Sequence, residues 1–154
     1  MDEKRVLSLV EPDTDAERLL GQVVVSMARG RSVTMRRLLA ECQVALAIGA
    51  SFCDATPGPW DLQLRDGRKV EVQATRADTF AVNRLRRAID LWVFVHVTDS
   101  EATDRFTLAT RGQIDALQAA YPRDRTSAIY VPTATVASWG LLTAAQLRRA
   151  VKSA

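Results

Sequence analysis

The chain has 154 residues, a length typical of one domain, and we expect residues 1–154 to form a single domain. Hydrophobic residues make up 47% and charged residues 25%, which excludes a disordered tail, a collagen-like chain and a coiled-coil rod. No apolar run approaches the ~18 residues that a membrane span needs, and the first residues lack the apolar segment of a signal peptide. Two cysteines fit neither a disulfide framework nor a four-ligand zinc site, so the sequence favours the cytoplasm.

The positive charge is concentrated in the middle of the chain. The net charge is +3, yet between Arg18 and Asp90 twelve bases stand against seven acids. Of the 21 bases, 18 are arginine, the residue best suited to forked contacts with phosphate groups. This segment therefore favours a polyanionic partner, although a GC-rich genome that encodes its bases as arginine would give the same composition.

The first third of the chain predicts two helices. Apolar residues at helical spacing follow a candidate N-cap region at residues 13–15 and stop at Gly30. A second helix is predicted from about Thr34 to Ile48, ended by Gly49. A Pro- and Gly-rich turn follows at residues 56–59.

Residues 60–73 predict a β-hairpin, because polar and apolar residues alternate on both sides of Asp66-Gly67. A three-residue loop at 66–68 would pair Leu64 with Val70 and Leu62 with Val72, and one face would be wholly apolar.

The remaining elements predict a mixed α/β fold. In chain order they are a buried strand at residues 90–97, a strand at 105–109, a helix at 112–120, a strand at 127–131 and a closing helix at 143–151 capped by Thr143.

The polar face of the hairpin gathers oxygen atoms at one end. The predicted register places Asp61 opposite Gln73, with Glu71 on the diagonal. Carboxylate and amide oxygens are ligands that hard cations such as Mg²⁺ accept, so one divalent cation could bridge these side chains. The alternative is a solvated hairpin face on which these residues contact water.

Asp61, nine intervening residues and then Glu71-Val72-Gln73 resemble the PD-(D/E)XK signature of restriction-endonuclease-like nucleases. The preceding helix with Glu41 and the strand after the hairpin are arranged as in that superfamily. The resemblance implies a restriction-endonuclease-like mixed central sheet of about 4–5 strands flanked by helices.

The same resemblance implies the site residues. Asp61 and Glu71 would be catalytic carboxylates that hold Mg²⁺ or Mn²⁺, together with the main-chain carbonyl of Val72 and with Glu41. The alternative for Glu41 is an ordinary acid on the helix surface. Gln73 occupies the position of the family's lysine, and some active members of the family carry glutamine there.

Four arginines follow the motif and are candidates for DNA binding. These residues are Arg76, Arg84, Arg86 and Arg87. They either contact DNA phosphates or lie on a solvated helix face. The single histidine, His96, lies in the predicted buried strand and is expected to make a local hydrogen bond.

The resemblance implies a cytoplasmic, Mg²⁺-dependent deoxyribonuclease, an endonuclease that hydrolyses phosphodiester bonds and acts as a homodimer to cut two strands. The alternative is a catalytically inactive nuclease-like fold that serves as a DNA-binding or protein-interaction module. Gln73 is the residue that raises this alternative.

Overall fold

The computed structural model describes residues 35–53, 60–75, 77–83, 88–97, 105–121 and 128–154. The helix predicted before Gly30 and the turn predicted at residues 56–59 lie outside these ranges. In chain order the elements are α1 (Met35–Ile48), β1 (Ser51–Phe52), β2 (Leu62–Gln63), β3 (Lys69–Thr75), β4 (Thr79–Asn83), β5 (Leu91–His96), β6 (Phe106–Thr110), α2 (Arg111–Ala120), β7 (Ala128–Pro132), α3 (Thr133–Ala137) and α4 (Ala144–Ser153).

Five strands form a mixed sheet in the order β1-β2-β3-β5-β6. Strands β3 and β5 run parallel, and the other neighbours are antiparallel. The predicted mixed α/β fold, a central sheet flanked by helices, is confirmed. A second sheet of β4 and β7 was not predicted, because β4 shows no clear periodicity in the sequence. The short elements β1 and α3 were not predicted for the same reason.

The hairpin turn differs from its predicted position. Leu62 pairs with Val70, and the Leu64 N–H donates to the Arg68 carbonyl at 2.9 Å, so the loop is residues 65–67 rather than 66–68. Gly67 has φ +89°, a conformation that favours glycine and allows a three-residue loop to close. The predicted pairs of Leu64 with Val70 and Leu62 with Val72 are therefore wrong, and each strand residue faces a partner two positions away from the expected one.

The apolar face of the hairpin is nevertheless the predicted one, because a slip of two residues preserves the alternation of side chains. Its four members are buried in the first core: Leu62, Leu64, Val70 and Val72. Helices α1 and α4 cover this face, and Thr143 caps α4 with a reciprocal capping box to Gln146.

The opposite face of the sheet forms a second core that is richer in aromatic residues. Trp92 and Phe94 of β5 pack there with Phe80 of β4, whose ring meets that of Phe94 edge to face at 5.0 Å. Helices α2 and α3 and strand β7 complete this layer. Among the helices of the described ranges, none combines the length and apolar character needed to cross a membrane.

Candidate active site

Asp61 lies immediately before β2, at the end of the hairpin farthest from its turn. The backbone N–H of Asp61 donates to the Val70 carbonyl at 3.2 Å, and Val70 is also the partner of Leu62, so the predicted pairing of Asp61 with Gln73 is wrong. The cause is the turn, since a loop at residues 65–67 shifts every cross-strand partner. Asp61 leaves the regular pairing, because its N–H bonds to β3 while its carbonyl accepts a hydrogen bond of 3.1 Å from the N–H of Cys53, just after β1.

Both carboxylate oxygens of Asp61 are engaged. Its Oδ2 accepts a hydrogen bond of 2.8 Å from the backbone N–H of Val72, which continues the pairing of β3 beyond the end of β2. Its Oδ1 accepts a bond of 2.6 Å from the guanidinium of Arg37 on α1. Asp61 is thereby fixed to both the sheet and the helix.

Val72 has its backbone polar groups directed toward Asp61. In a β-strand the N–H and C=O of one residue point to the same side, and the N–H of Val72 donates to Asp61. The Val72 carbonyl therefore faces the strand edge at which Asp61 lies, as the resemblance requires of a main-chain ligand.

Arg37 links two acids that are distant in sequence. Its Nε donates to Glu41 Oε1 at 2.8 Å, one helical turn along α1, while its terminal nitrogen pairs with Asp61. Burial lowers the pKa of Arg37, but the charges and hydrogen bonds of Asp61 and Glu41 outweigh burial and raise that pKa. Arg37 stays positively charged and neutralises part of the negative charge at this end of the hairpin.

Glu71 points to the other face of β3 from Val70 and Val72 and is 2% exposed. It lies beside Trp92 in the parallel pairing with β5. The side-chain amide of Gln73 donates a hydrogen bond of 2.9 Å to Glu71 Oε1. Gln73 therefore orients the buried carboxylate of Glu71.

Three acids, Glu41, Asp61 and Glu71, are the only buried charged side chains among the described residues. We call these three residues, with Arg37 and Gln73, the carboxylate site. Glu41 is 5% exposed, so the interpretation of Glu41 as a surface acid is wrong. The alternative of a solvated hairpin face is wrong for Asp61 and Glu71, which are buried, while Gln73 is partly exposed. A buried carboxylate is costly unless it is paired, and here Arg37 binds Glu41 and Asp61 while the amide of Gln73 binds Glu71.

The donor set of the carboxylate site fits a hard divalent cation by its chemistry, because carboxylate and carbonyl oxygens are the ligands that Mg²⁺ accepts. The guanidinium between Glu41 and Asp61 shows that positive charge is stable there. In the described ranges, no group of three or more His, Cys, Asp or Glu side chains is arranged to hold a metal ion, and Oδ1 of Asp61 is bonded to Arg37. A cation at Asp61 must therefore compete with Arg37 for Oδ1.

Arg37 was missed as a site residue by the sequence analysis. The available signal was its spacing of four residues from Glu41 on a predicted helix, the distance at which opposite charges pair. The four arginines predicted to contact DNA, Arg76, Arg84, Arg86 and Arg87, lie outside the described residues.

His96 makes the expected local contact and lies outside the carboxylate site. Its Nε2 is 3.2 Å from the hydroxyl of Thr107, and its ring meets Phe80 edge to face at 5.1 Å. Burial lowers the pKa of His96. The two cysteines, Cys42 and Cys53, are both free.

No protein-family model matches this chain, and a search of curated proteins also found no match.

Proposed function

We propose that this protein is a Mg²⁺-dependent deoxyribonuclease of the PD-(D/E)XK type, with Mn²⁺ as an alternative ion. The observation that supports the proposal is the burial of three carboxylates, Glu41, Asp61 and Glu71. They are the same acids that the sequence motif selects. A solvated hairpin would have no need to bury them, whereas a metal-dependent site needs preorganised acids shielded from water.

In the proposed site, Asp61 and Glu71 hold the cation, with the Val72 carbonyl and Glu41 as further oxygen donors. When bound, the metal supplies charge for the scissile phosphate and lowers the pKa of a water molecule. Gln73 holds Glu71 in one orientation through its amide hydrogen bond. Glutamine cannot supply the positive charge of the family's lysine, so the metal would take a larger share of the chemistry.

Arg37 would balance the acids while the metal is absent. It is held by two carboxylates, and its side chain is still 43% exposed, so it can turn toward solvent or toward a phosphate. DNA contact by Arg76, Arg84, Arg86 and Arg87, a homodimer and a cytoplasmic location complete the proposal.

A second candidate is a nuclease-like module that binds DNA or a protein without cleaving it. The observation in its favour is the closed ion-pair network, in which Arg37 already satisfies Asp61 and contacts Glu41. In this candidate the guanidinium permanently fills the role of the cation, and the glutamine at position 73 reflects the loss of catalysis.

Plasmid cleavage with and without Mg²⁺ or Mn²⁺ separates the two candidates. For the nuclease, Glu71→Gln should reduce cleavage at least about 100-fold, since one charged metal ligand is lost while the shape is kept. Asp115→Asn is the matched control, because Asp115 is an exposed acid on α2 and its loss should leave cleavage unchanged. Circular dichroism and thermal unfolding verify that both variants fold.

Gln73→Lys tests whether the glutamine marks a decayed site. In a working site the lysine can pair with the carboxylates, and cleavage should persist or rise. If wild type and Gln73→Lys both leave plasmid intact while a gel shift shows DNA binding, the nuclease is rejected and the binding module stands. Binding through phosphates should weaken steeply with salt, by a slope near −0.9 for each phosphate neutralised.

Arg37→Met measures the competition between guanidinium and metal. Removing Arg37 should tighten Mn²⁺ binding, measured by equilibrium dialysis, because Glu41 and Asp61 lose their internal cation. Arg149→Met is the control, because Arg149 is an exposed arginine on α4. Mn²⁺ binding that is equally absent in wild type and Arg37→Met would contradict the metal site.

A further inference from the structure

A basic pocket of about 420 Å³ lies at the opposite end of the hairpin from the carboxylate site. It is formed where the C-terminal end of α1, the hairpin turn and the last turns of α4 meet. Its lining residues are Ile48, Gly49, Leu64, Arg65, Asp66, Arg68, Arg148, Val151 and Lys152. The volume is within the range of small-molecule sites.

Two of the four cations in the basic pocket are already engaged. Arg148 donates to the carbonyls of Ala47 and Leu46 at 2.7 and 3.0 Å and so satisfies the C-terminal end of α1. Arg68 pairs with Asp66 at 2.8 Å across the turn.

The other two cations, Arg65 and Lys152, form no ion pair with any residue in the described part of the chain. They come from different walls, since Arg65 is on the turn and Lys152 is in the last turn of α4. The basic pocket therefore presents two uncompensated positive charges that can converge on one anion.

The floor of the basic pocket is aliphatic. Leu64 and Val151 are part of the first core, and Ile48 packs against the same cluster while remaining partly exposed. An apolar floor below a cationic rim suits a ligand with a ring at one end and an anion at the other, because the ring can be shielded from water while the anion meets the cations.

We propose that the basic pocket binds a nucleoside 5′-phosphate. A terminal phosphate carries a charge of about −1.5 to −2 at neutral pH, which matches two free cations better than a singly charged phosphodiester does. The nucleobase lies on the aliphatic floor. A nucleoside 5′-phosphate group can come from a free nucleotide or from the 5′-phosphorylated end of a nucleic-acid strand. The inference does not rest on the proposed nuclease, since it uses no residue of the carboxylate site.

Calorimetric titration of the full chain tests the pocket with three probes. Adenosine 5′-monophosphate should bind more tightly than inorganic phosphate, and adenosine should not bind measurably. Adenosine binding as tightly as its monophosphate would overturn the anionic part of the proposal. Inorganic phosphate binding as tightly as the monophosphate would overturn the nucleoside part.

Substitutions assign the binding to the basic pocket. Arg65→Ala and Lys152→Ala should each weaken binding of the monophosphate about tenfold, in keeping with the loss of one charge-assisted hydrogen bond. Arg149→Ala is the matched control, because Arg149 is an exposed base on α4 outside the pocket lining and should have no effect. An equal loss in Arg149→Ala, or no binding by wild type at millimolar ligand, overturns the proposal.

Two oligothymidylates that differ only in a 5′-phosphate distinguish the sources of the ligand. Tighter binding of the phosphorylated strand than of thymidine 5′-monophosphate assigns the pocket to strand ends, and the reverse preference assigns it to free nucleotides. The titration with adenosine 5′-monophosphate needs no added metal and no residue of the carboxylate site, so a failed nuclease and a failed pocket give different results.

Discussion

Both ends of the β2–β3 hairpin carry charged side chains, but those at one end are buried and those at the other end are exposed to solvent. At the open end, Asp61 and Glu71 are buried, and each carboxylate has a hydrogen-bond donor. At the turn, Arg65 and Asp66 are exposed, and the pair between Asp66 and Arg68 lies in solvent. The difference comes from what covers each end rather than from the hairpin itself.

Helix α1 covers Asp61 and carries Glu41, whereas Glu71 is buried on the other face of the sheet beside Trp92. Arg37 on this helix binds both Glu41 and Asp61, so water at Asp61 is replaced by a guanidinium and a backbone N–H. The turn lies near the other end of α1, where an open pocket keeps water in contact with the cations. Charges at the covered end are therefore expected to control stability, and charges at the turn are expected to control ligand binding.

The largest effect on stability is expected from Asp61→Ala. The substitution removes the acceptor for Val72 N–H and leaves Arg37 without one of its partners, which should lower the free energy of unfolding by about 2–4 kcal/mol. Asp66→Ala should have a much smaller effect, because its ion pair is exposed. Urea unfolding measures both, and comparable losses in the two variants would refute the contrast between the ends.

An intermediate effect is expected from Gly67→Ala in the turn. Gly67 has φ +89°, and an added Cβ would meet no atom within 4 Å, so the cost arises from the backbone alone. We expect a loss of about 1 kcal/mol. Gly112→Ala on α2 is the control, since its Cβ is equally unobstructed and alanine favours a helix. A thermal shift to lower temperature in both variants would show that the turn conformation is not the cause.

The smallest effect is expected from the pH dependence of His96, which lies outside both ends of the hairpin. Burial lowers its pKa in the folded state, so the unfolded chain takes up the proton first as the pH falls below about 6.5. Stability contributed by the neutral ring is therefore lost on acidification. Wild type should lose more stability than His96→Gln between pH 7.5 and 5.5, by less than about 1 kcal/mol because the ring is half exposed.

Unfolding in urea at the two pH values gives this difference directly. Asp66 also has a lowered pKa, caused first by its hydrogen bond from Arg68, but it titrates at more acidic pH and does not contribute in this window. Parallel losses in wild type and His96→Gln would contradict a role for His96.

Much of the fold could be predicted from local pattern. Periodic patterns identified α1, the hairpin and α4, and a near-continuous apolar run identified β5. The observed bounds differ from the predicted ones by one or two residues. Strand β4 was missed because its pairing with β7 is remote in sequence. Short strands held by distant partners carry little signal of their own.

The candidate site was predicted in part. Side-chain alternation and the motif selected Asp61, Glu71 and Glu41, and all three are buried. The partner across the hairpin was wrong, because the choice between two three-residue loops depends on which residue takes the left-handed conformation. Arg37 was missed because its contact with Asp61 spans 24 residues.

The parity of the hairpin and the ends of the helices follow from the sequence alone, since they depend on neighbours within a few residues. The contact of Arg37 with Asp61 and the pocket that Arg65 and Lys152 share arise only when the elements pack together. Ion pairs and pockets form between elements that are brought together by burying apolar faces. One apolar face of a helix can pack on a sheet in several registers, and each register would place the guanidinium of Arg37 at a different point on the sheet.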